Sequence, residues 1–96
     1  MIIVIVEHFL NEAGRTYFPS WVEEVEKVLE NWPGFVNIQP IKHVEKSEAT
    51  CLLLRFENLP LLRDWAASDD HQEILDLLIP FREQKQRSQI FEVTHW

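Results

Sequence analysis

Cysteine appears once, at Cys51, and glycine twice, at Gly14 and Gly34, in a chain of 96 residues. A lone cysteine excludes an internal disulfide and any cysteine-based zinc site. Two glycines this far apart exclude the phosphate-cradling loops of P-loop and dinucleotide-binding proteins. Basic residues are scarce: nine Lys and Arg stand against sixteen Asp and Glu, a formal charge of −7. Such a balance excludes a basic nucleic-acid footprint, and an anionic membrane surface repels it. The apolar start, Met1 to Val6, is too short for a signal-peptide core or a membrane span and lacks a basic flank. A reduced, cytoplasmic protein with no nucleic-acid or membrane partner is expected.

Residues 1–96 are few enough for one domain. Apolar residues make up 46% and charged residues 26%, the balance of a globular protein. Four Trp, six Phe and one Tyr overfill the modest core that such a chain can bury. Some of them are expected to line a ligand pocket or a subunit interface.

Ile2 to Phe9 is β-branched and apolar at almost every position, as in a central strand buried on both faces. A polar loop is expected over Asn11 to Arg15. From there to Trp32, Phe18, Trp21/Val22, Val25, Val28/Leu29 and Trp32 form an apolar helical stripe. Proline is tolerated in a first turn, so the helix is predicted to begin near Phe18 or Pro19 and to end at Pro33-Gly34. Phe35 to Glu45 and Glu48 to Glu57 read as an antiparallel hairpin turning around Lys46-Ser47. Pro40 sends the first of these strands to a sheet edge or a bulge, and the apolar run Thr50 to Phe56 places the second inside. Asn58 is a helix cap with Pro60 in the first turn of a short helix to Ala67, and Ser68 caps a second piece whose buried stripe is Ile74, Leu75, Leu78 and Phe81. Gln89 to Trp96 alternates as a terminal strand.

The order is β-α-β-β-α-β with the second helix broken, the split βαβ, ferredoxin-like α+β arrangement. Both helices of that fold lie on one face of an antiparallel sheet. The first and third strands are nonetheless apolar on both faces, so the second face requires a cover. A second copy of the chain, packed sheet to sheet as a homodimer, supplies it.

The segment Leu62 to His71 contains Trp65-x-x-Ser68-x-x-His71 at the end of a helix, preceded by the strand Leu54-Arg55-Phe56. Together with a first helix containing Trp21 and closed by Pro33-Gly34-Phe35, it resembles the antibiotic biosynthesis monooxygenase family, across essentially the whole chain. The resemblance implies a dimeric α+β barrel with a pocket between sheet and helices. It also implies chemistry of the kind some relatives perform, oxidising phenols or anthrones with O₂ and neither metal nor flavin. An electron-rich substrate, once deprotonated, reduces O₂ itself; the protein supplies a base or hydrogen-bond donor, an oriented aromatic pocket and dryness. Relatives that cleave haem carry Asn on the first strand and His a turn further along the last helix. Here those places hold His8 and Leu75-Asp76, so haem is not the substrate expected. Phenol-oxidising relatives place Tyr and Asn beside the Trp; by spacing, His71 replaces the Tyr and Leu61 the Asn, with Asn58 a turn earlier.

His71 matches the family's position and is a candidate to hydrogen-bond or deprotonate a phenol; as the third residue after its cap it equally serves the helix start. Trp65 is a candidate to stack a ring, or an ordinary core aromatic. His8, on the parity of Ile2, Val4 and Val6, needs a partner that a ligand or a local contact can provide. Phe18 and Trp21 can border the pocket or pack the first turn, and Asn58 is a further binding candidate. His8, His43, His71 and His95 lie on four elements without ligand spacing, so no metal is expected. Crowded acids on both helices disfavour a highly anionic ligand unless Arg55 or Arg63 points inward. A monooxygenase-like enzyme acting without cofactor on a small aromatic or quinol is the leading expectation. A non-catalytic ligand-binding module, or a dimerisation domain whose pocket is filled by Trp21 and Trp65, stand as alternatives.

Overall fold

The first strand, β1 (Ile2–Leu10), takes the interior position that its doubly apolar sequence demands. It pairs antiparallel with β3 (Thr50–Phe56) on one side and β4 (Arg82–Glu92) on the other, and β2 (Phe35–Ile41) lies beyond β3, in the order β2-β3-β1-β4. The computed structural model describes residues 1–46 and 50–94. The turn expected at Lys46-Ser47, the strand start at Glu48, and His95 and Trp96 lie wholly or partly outside the described residues.

Asn11 starts the first helix. Its side-chain oxygen accepts the Gly14 amide at 2.8 Å, so α1 spans Glu12–Leu29 and begins well before the predicted Phe18 or Pro19. The expected loop over Asn11 to Arg15 is instead the cap and first turn, because a good N-cap outweighs one interior proline. Pro19 sits on the exposed side of α1, where the carbonyl it leaves unpaired can turn to water. A Cβ on Gly14 would stand 2.6 Å from Phe81 Cβ and 2.9 Å from Leu10 Cβ. Glycine there lets α1 close against the end of β1 and a single 3₁₀ turn, Ile79–Phe81.

The broken second helix is α2 (Leu59–Ala66) and α3 (Asp69–Asp76). Asn58 accepts the Leu61 amide at 3.0 Å and Ser68 Oγ accepts the His71 amide at 3.1 Å, so each piece has the cap its sequence announced. Apolar residues of all three helices pack on Ile2, Val4 and Leu10 of β1 and Leu52, Leu54 and Phe56 of β3, with Phe56, Leu29, Leu52 and Leu78 fully enclosed. That is the α+β ferredoxin-like arrangement, with its helices on one face.

Two strands differ from expectation. β2 stops at Ile41 rather than at Glu45; Pro40 is accommodated in it because β2 is an edge strand, paired only with β3. β4 begins at Arg82 rather than Gln89; as an edge strand exposed along most of its length, it needs no apolar alternation over residues 82–88.

Ile3, Ile5, Glu7 and Phe9 of β1 point to the other face, beside Arg55, Leu53 and Cys51 of β3 and Phe91, Gln89 and Arg87 of β4. Arg87 pairs with Glu7 at 2.7 Å and lies 5.9 Å from the Phe9 ring centroid. Among the described residues no helix covers this face.

Candidate functional site

His8 stands near the end of β1 on the helix-facing row. The ladder to β4 is irregular there: Glu7 pairs with Arg87, Phe9 with Gln84, and Leu10 with Arg82. The extra residues of β4 bulge beside His8, a device that bends a strand and re-aims its side chains. Gln86, on the bulged stretch, is half-buried while its neighbours are exposed.

His8 is 4% exposed, the one buried polar residue of the described core. The edge of its ring meets Trp21 at 5.0 Å between centroids, with Phe18 at 5.9 Å. Trp21 has its own fixed contact, since Nε1 donates to the Ile74 carbonyl at 2.8 Å. That bond ties α1 to α3 and leaves Trp21 no donor for a ligand. His71 enters from the start of α3, held at its amide by Ser68, whose hydroxyl in turn donates to the Trp65 carbonyl at 2.7 Å. The His71 ring meets Trp65 edge-on at 5.3 Å, and Trp65 rests on Trp32 at 5.0 Å with a 73° interplanar angle. Edge-to-face pairs of this kind fix ring orientation.

Between sheet and helices these residues enclose a cavity of about 190 Å³. Its floor is aliphatic: Val4, Val6, Leu52 and Leu54. Trp65, Leu62 and Ile74 form the helix side. Polar groups enter from His8, His71, Gln86, Ser88 and Arg63. Apolar walls with a few convergent polar groups are the usual composition of a small-molecule site.

Electrostatics sets the histidines' state. Burial, with a smaller contribution from nearby His71, pushes the His8 imidazole down from 6.5 to about 4. Burial lowers His71 as well, against the opposing pull of the Ala66 carbonyl. Both rings are therefore neutral at pH 7, each offering one N–H and one bare nitrogen. The His71 ring has the Ala66 backbone carbonyl as a partner, which leaves its other nitrogen for the cavity. Such a pair can accept a hydroxyl proton and hydrogen-bond the oxyanion left behind, inside a largely apolar cavity.

The fold brings four of the expected site residues to one cavity: His71, Trp65, His8 and Trp21. Phe18 stands behind it, stacked on Trp21 at 5.7 Å and 28°. Asn58 is exposed and its side-chain oxygen is occupied by the Leu61 amide, so its place is the cap of α2 and not the cavity. Trp21 and Trp65 line the cavity without filling it. Arg55 bonds Asn37 at 3.2 Å on the other sheet face, whereas Arg63 lines the cavity. His43 is exposed, its Nδ1 accepting the Glu45 amide at 3.1 Å. Gln86, Ser88 and Ile90 contribute a wall that sequence reasoning missed; counting back by twos from Ile90 places Ser88 and Gln86 on its face, had the strand been extended. No group of three or more His, Cys, Asp or Glu among the described residues is placed to hold a metal ion.

No family model matches the sequence, and no curated protein matches it. Solved structures do. A conserved protein from Methanosarcina mazei Go1 superposes with a TM-score of 0.83 at 16% identity, covering 97% of this chain and 92% of the other. A putative antibiotic biosynthesis monooxygenase from Bordetella bronchiseptica gives 0.83 at 15%, covering 98% and 97%. A mutant of SnoaB, a cofactor-independent oxygenase from Streptomyces nogalater, gives 0.79 at 13%, covering 99% and 94%. At these identities the likeness establishes the fold: this chain has the fold of the antibiotic biosynthesis monooxygenase-like proteins.

Proposed function

We propose that the chain is a cofactor-independent monooxygenase-like enzyme acting on a small aromatic or quinol compound in the cavity between sheet and helices. The observation that carries this reading is the pair of neutral imidazoles, His8 and His71, lining a largely apolar cavity beside Trp65. His71, the less buried of the two, takes the proton of a bound hydroxyl; His8, the more strongly depressed, orients that hydroxyl and donates to the phenolate. Trp65 sets the ring plane. The electron-rich phenolate delivers electrons to O₂, and collapse of the resulting hydroperoxide releases water. For a quinol the balance is one quinol and one O₂ giving one hydroxyquinone and one water, so the substrate is the sole reductant.

The enzyme acts as a homodimer joined through the open sheet face. Ile3, Ile5, Leu53 and Phe91 share that face, and Phe91 is 47% exposed, which is poor economy for a monomer. Among the described residues no helix is long and apolar enough to cross a membrane.

Oxygen uptake by the purified protein with 1,4-dihydroxynaphthalene as substrate tests the chemistry. Turnover above the spontaneous rate is expected, falling about 10²- to 10⁴-fold in His71→Ala, the usual worth of a positioned acid–base group. An unchanged rate in that variant removes His71 from the mechanism. Saturable quenching of Trp fluorescence without oxygen uptake would instead establish a binding module.

A further inference from the structure

Charge is distributed unevenly around the cavity. Sixteen Asp and Glu and nine Lys and Arg are spread over this chain, yet among the described residues no carboxylate lines the cavity, and one cation does: Arg63. It stands on the last turn of α2, is exposed, and forms no salt bridge among the described residues. The single ion pair there, Arg87 with Glu7, lies on the other sheet face. An arginine that lines a cavity yet remains exposed marks its mouth, whereas His8, 4% exposed, marks its deep end.

We propose that the ligand is a hydroxyaromatic acid, bound with its hydroxyl at His8 and His71 and its carboxylate at Arg63. This rests on the aromatic-site reading above and specifies its substrate class. The two ends differ in what they tolerate. At the deep end both imidazoles are neutral, so a carboxylate there loses its hydration without gaining a counter-charge. At the mouth water still solvates a carboxylate, and a planar guanidinium matches it with two parallel N–H bonds. One guanidinium suits a single negative charge better than a phosphate dianion. Size limits the ring system: an apolar cavity of about 150 Å³ holds a benzene, so 190 Å³ suits one or two fused rings. Gln86 and Ser88 on β4 add neutral hydrogen-bonding groups along the same wall. Arg63 is thereby the specificity-determining residue.

Calorimetric titration with 6-hydroxy-2-naphthoate and with 2-naphthol, the same ring without the carboxylate, separates the possibilities. In the wild type the acid is expected to bind about tenfold more tightly, the scale of one charge-assisted contact, with an advantage that shrinks as salt rises. In Arg63→Gln the two affinities converge while that of 2-naphthol stays unchanged, and Arg63→Lys restores part of the preference. Equal affinities in the wild type, or an advantage that survives Arg63→Gln, overturn the assignment of Arg63 and leave the aromatic cavity standing. Failure of both compounds to bind overturns the aromatic cavity as well.

Discussion

Acidification should expose His8 as a stability switch. Its folded value of about 4 lies below the ordinary 6.5 because burial disfavours the charged ring. The unfolded chain therefore takes up a proton in the range from 6.5 to about 4 that the folded chain refuses. Stability is fully present above pH 6.5 and is lost as pH falls through that window. The gap of about 2.5 pH units at 1.36 kcal/mol each amounts to about 3 kcal/mol, of which about 2.5 is lost by pH 4.5. For a domain of this size that is on the order of 10–20 °C in Tm, a large share of the 5–15 kcal/mol typical of folded proteins.

Urea melts of wild type and His8→Gln at half-unit intervals from pH 7.5 to 4.5 read the effect. The wild-type slope should exceed the variant's by up to about 1.4 kcal/mol per pH unit, one proton's worth. His71, also lowered by burial, supplies a residual slope of the same sign in the variant. Parallel curves would refute the reasoning, since they would mean that His8 already carries its proton in the folded state or is hydrated there.

Gly14→Ala, favourable by about 1 kcal/mol in an unconstrained helix, should here destabilise by about 1–3 kcal/mol, because its Cβ meets Phe81 at 2.6 Å; a higher urea midpoint would contradict this. Trp65→Ala should cost about 3–5 kcal/mol in urea melts by emptying the space between Trp32 and His71, with Trp65→Phe recovering most of it; equal losses would mean that the wall holds its shape through the indole N–H. Ile5→Glu, on the open sheet face and away from the cavity, should halve the mass seen by sedimentation from 23 to the 11.5 kDa of one chain; a wild type already sedimenting as a monomer would end the dimer reading.

Much of this molecule is legible without coordinates, wherever a single local force dominates. The doubly apolar β1 and β3 are central, Pro40 lies on an edge, and Asn58 and Ser68 cap their helices. The sequence misleads where two local signals compete or none is present. At α1, the capping preference of Asn11 opposed the usual cost of Pro19, and the cap prevailed because the proline faces water. At β4, an exposed edge strand held by backbone pairing to β1, residues 82–88 carry almost no hydrophobic pattern, so seven of its eleven residues give no strand signal, Gln86 and Ser88 among them. The caps also divide the candidate residues: Asn58 is exposed, caps α2 and lies outside the cavity lining. His71 serves both cap and cavity, because Ser68 binds its backbone amide while the ring lines the cavity.

The site and the proposed subunit contact are two rows of one strand. Val4, Val6 and His8 face the cavity; Ile3, Ile5 and Glu7 face the open side. Since side chains alternate along a strand, a register slip of one residue would exchange the rows, placing Glu7 in the apolar cavity and His8 on the outer face. Pairing with β3 is regular from Ile2 to His8, whereas the β4 ladder is irregular at His8. The regular side holds the register on which both rows depend, and the irregular side shapes the wall that Gln86 and Ser88 present to a ligand. A dimer packed on the outer row would thus fasten β1 from behind. The depth of His8 in the cavity, and the low proton affinity that follows from it, would then be properties of the assembled sheet pair as well as of the single chain.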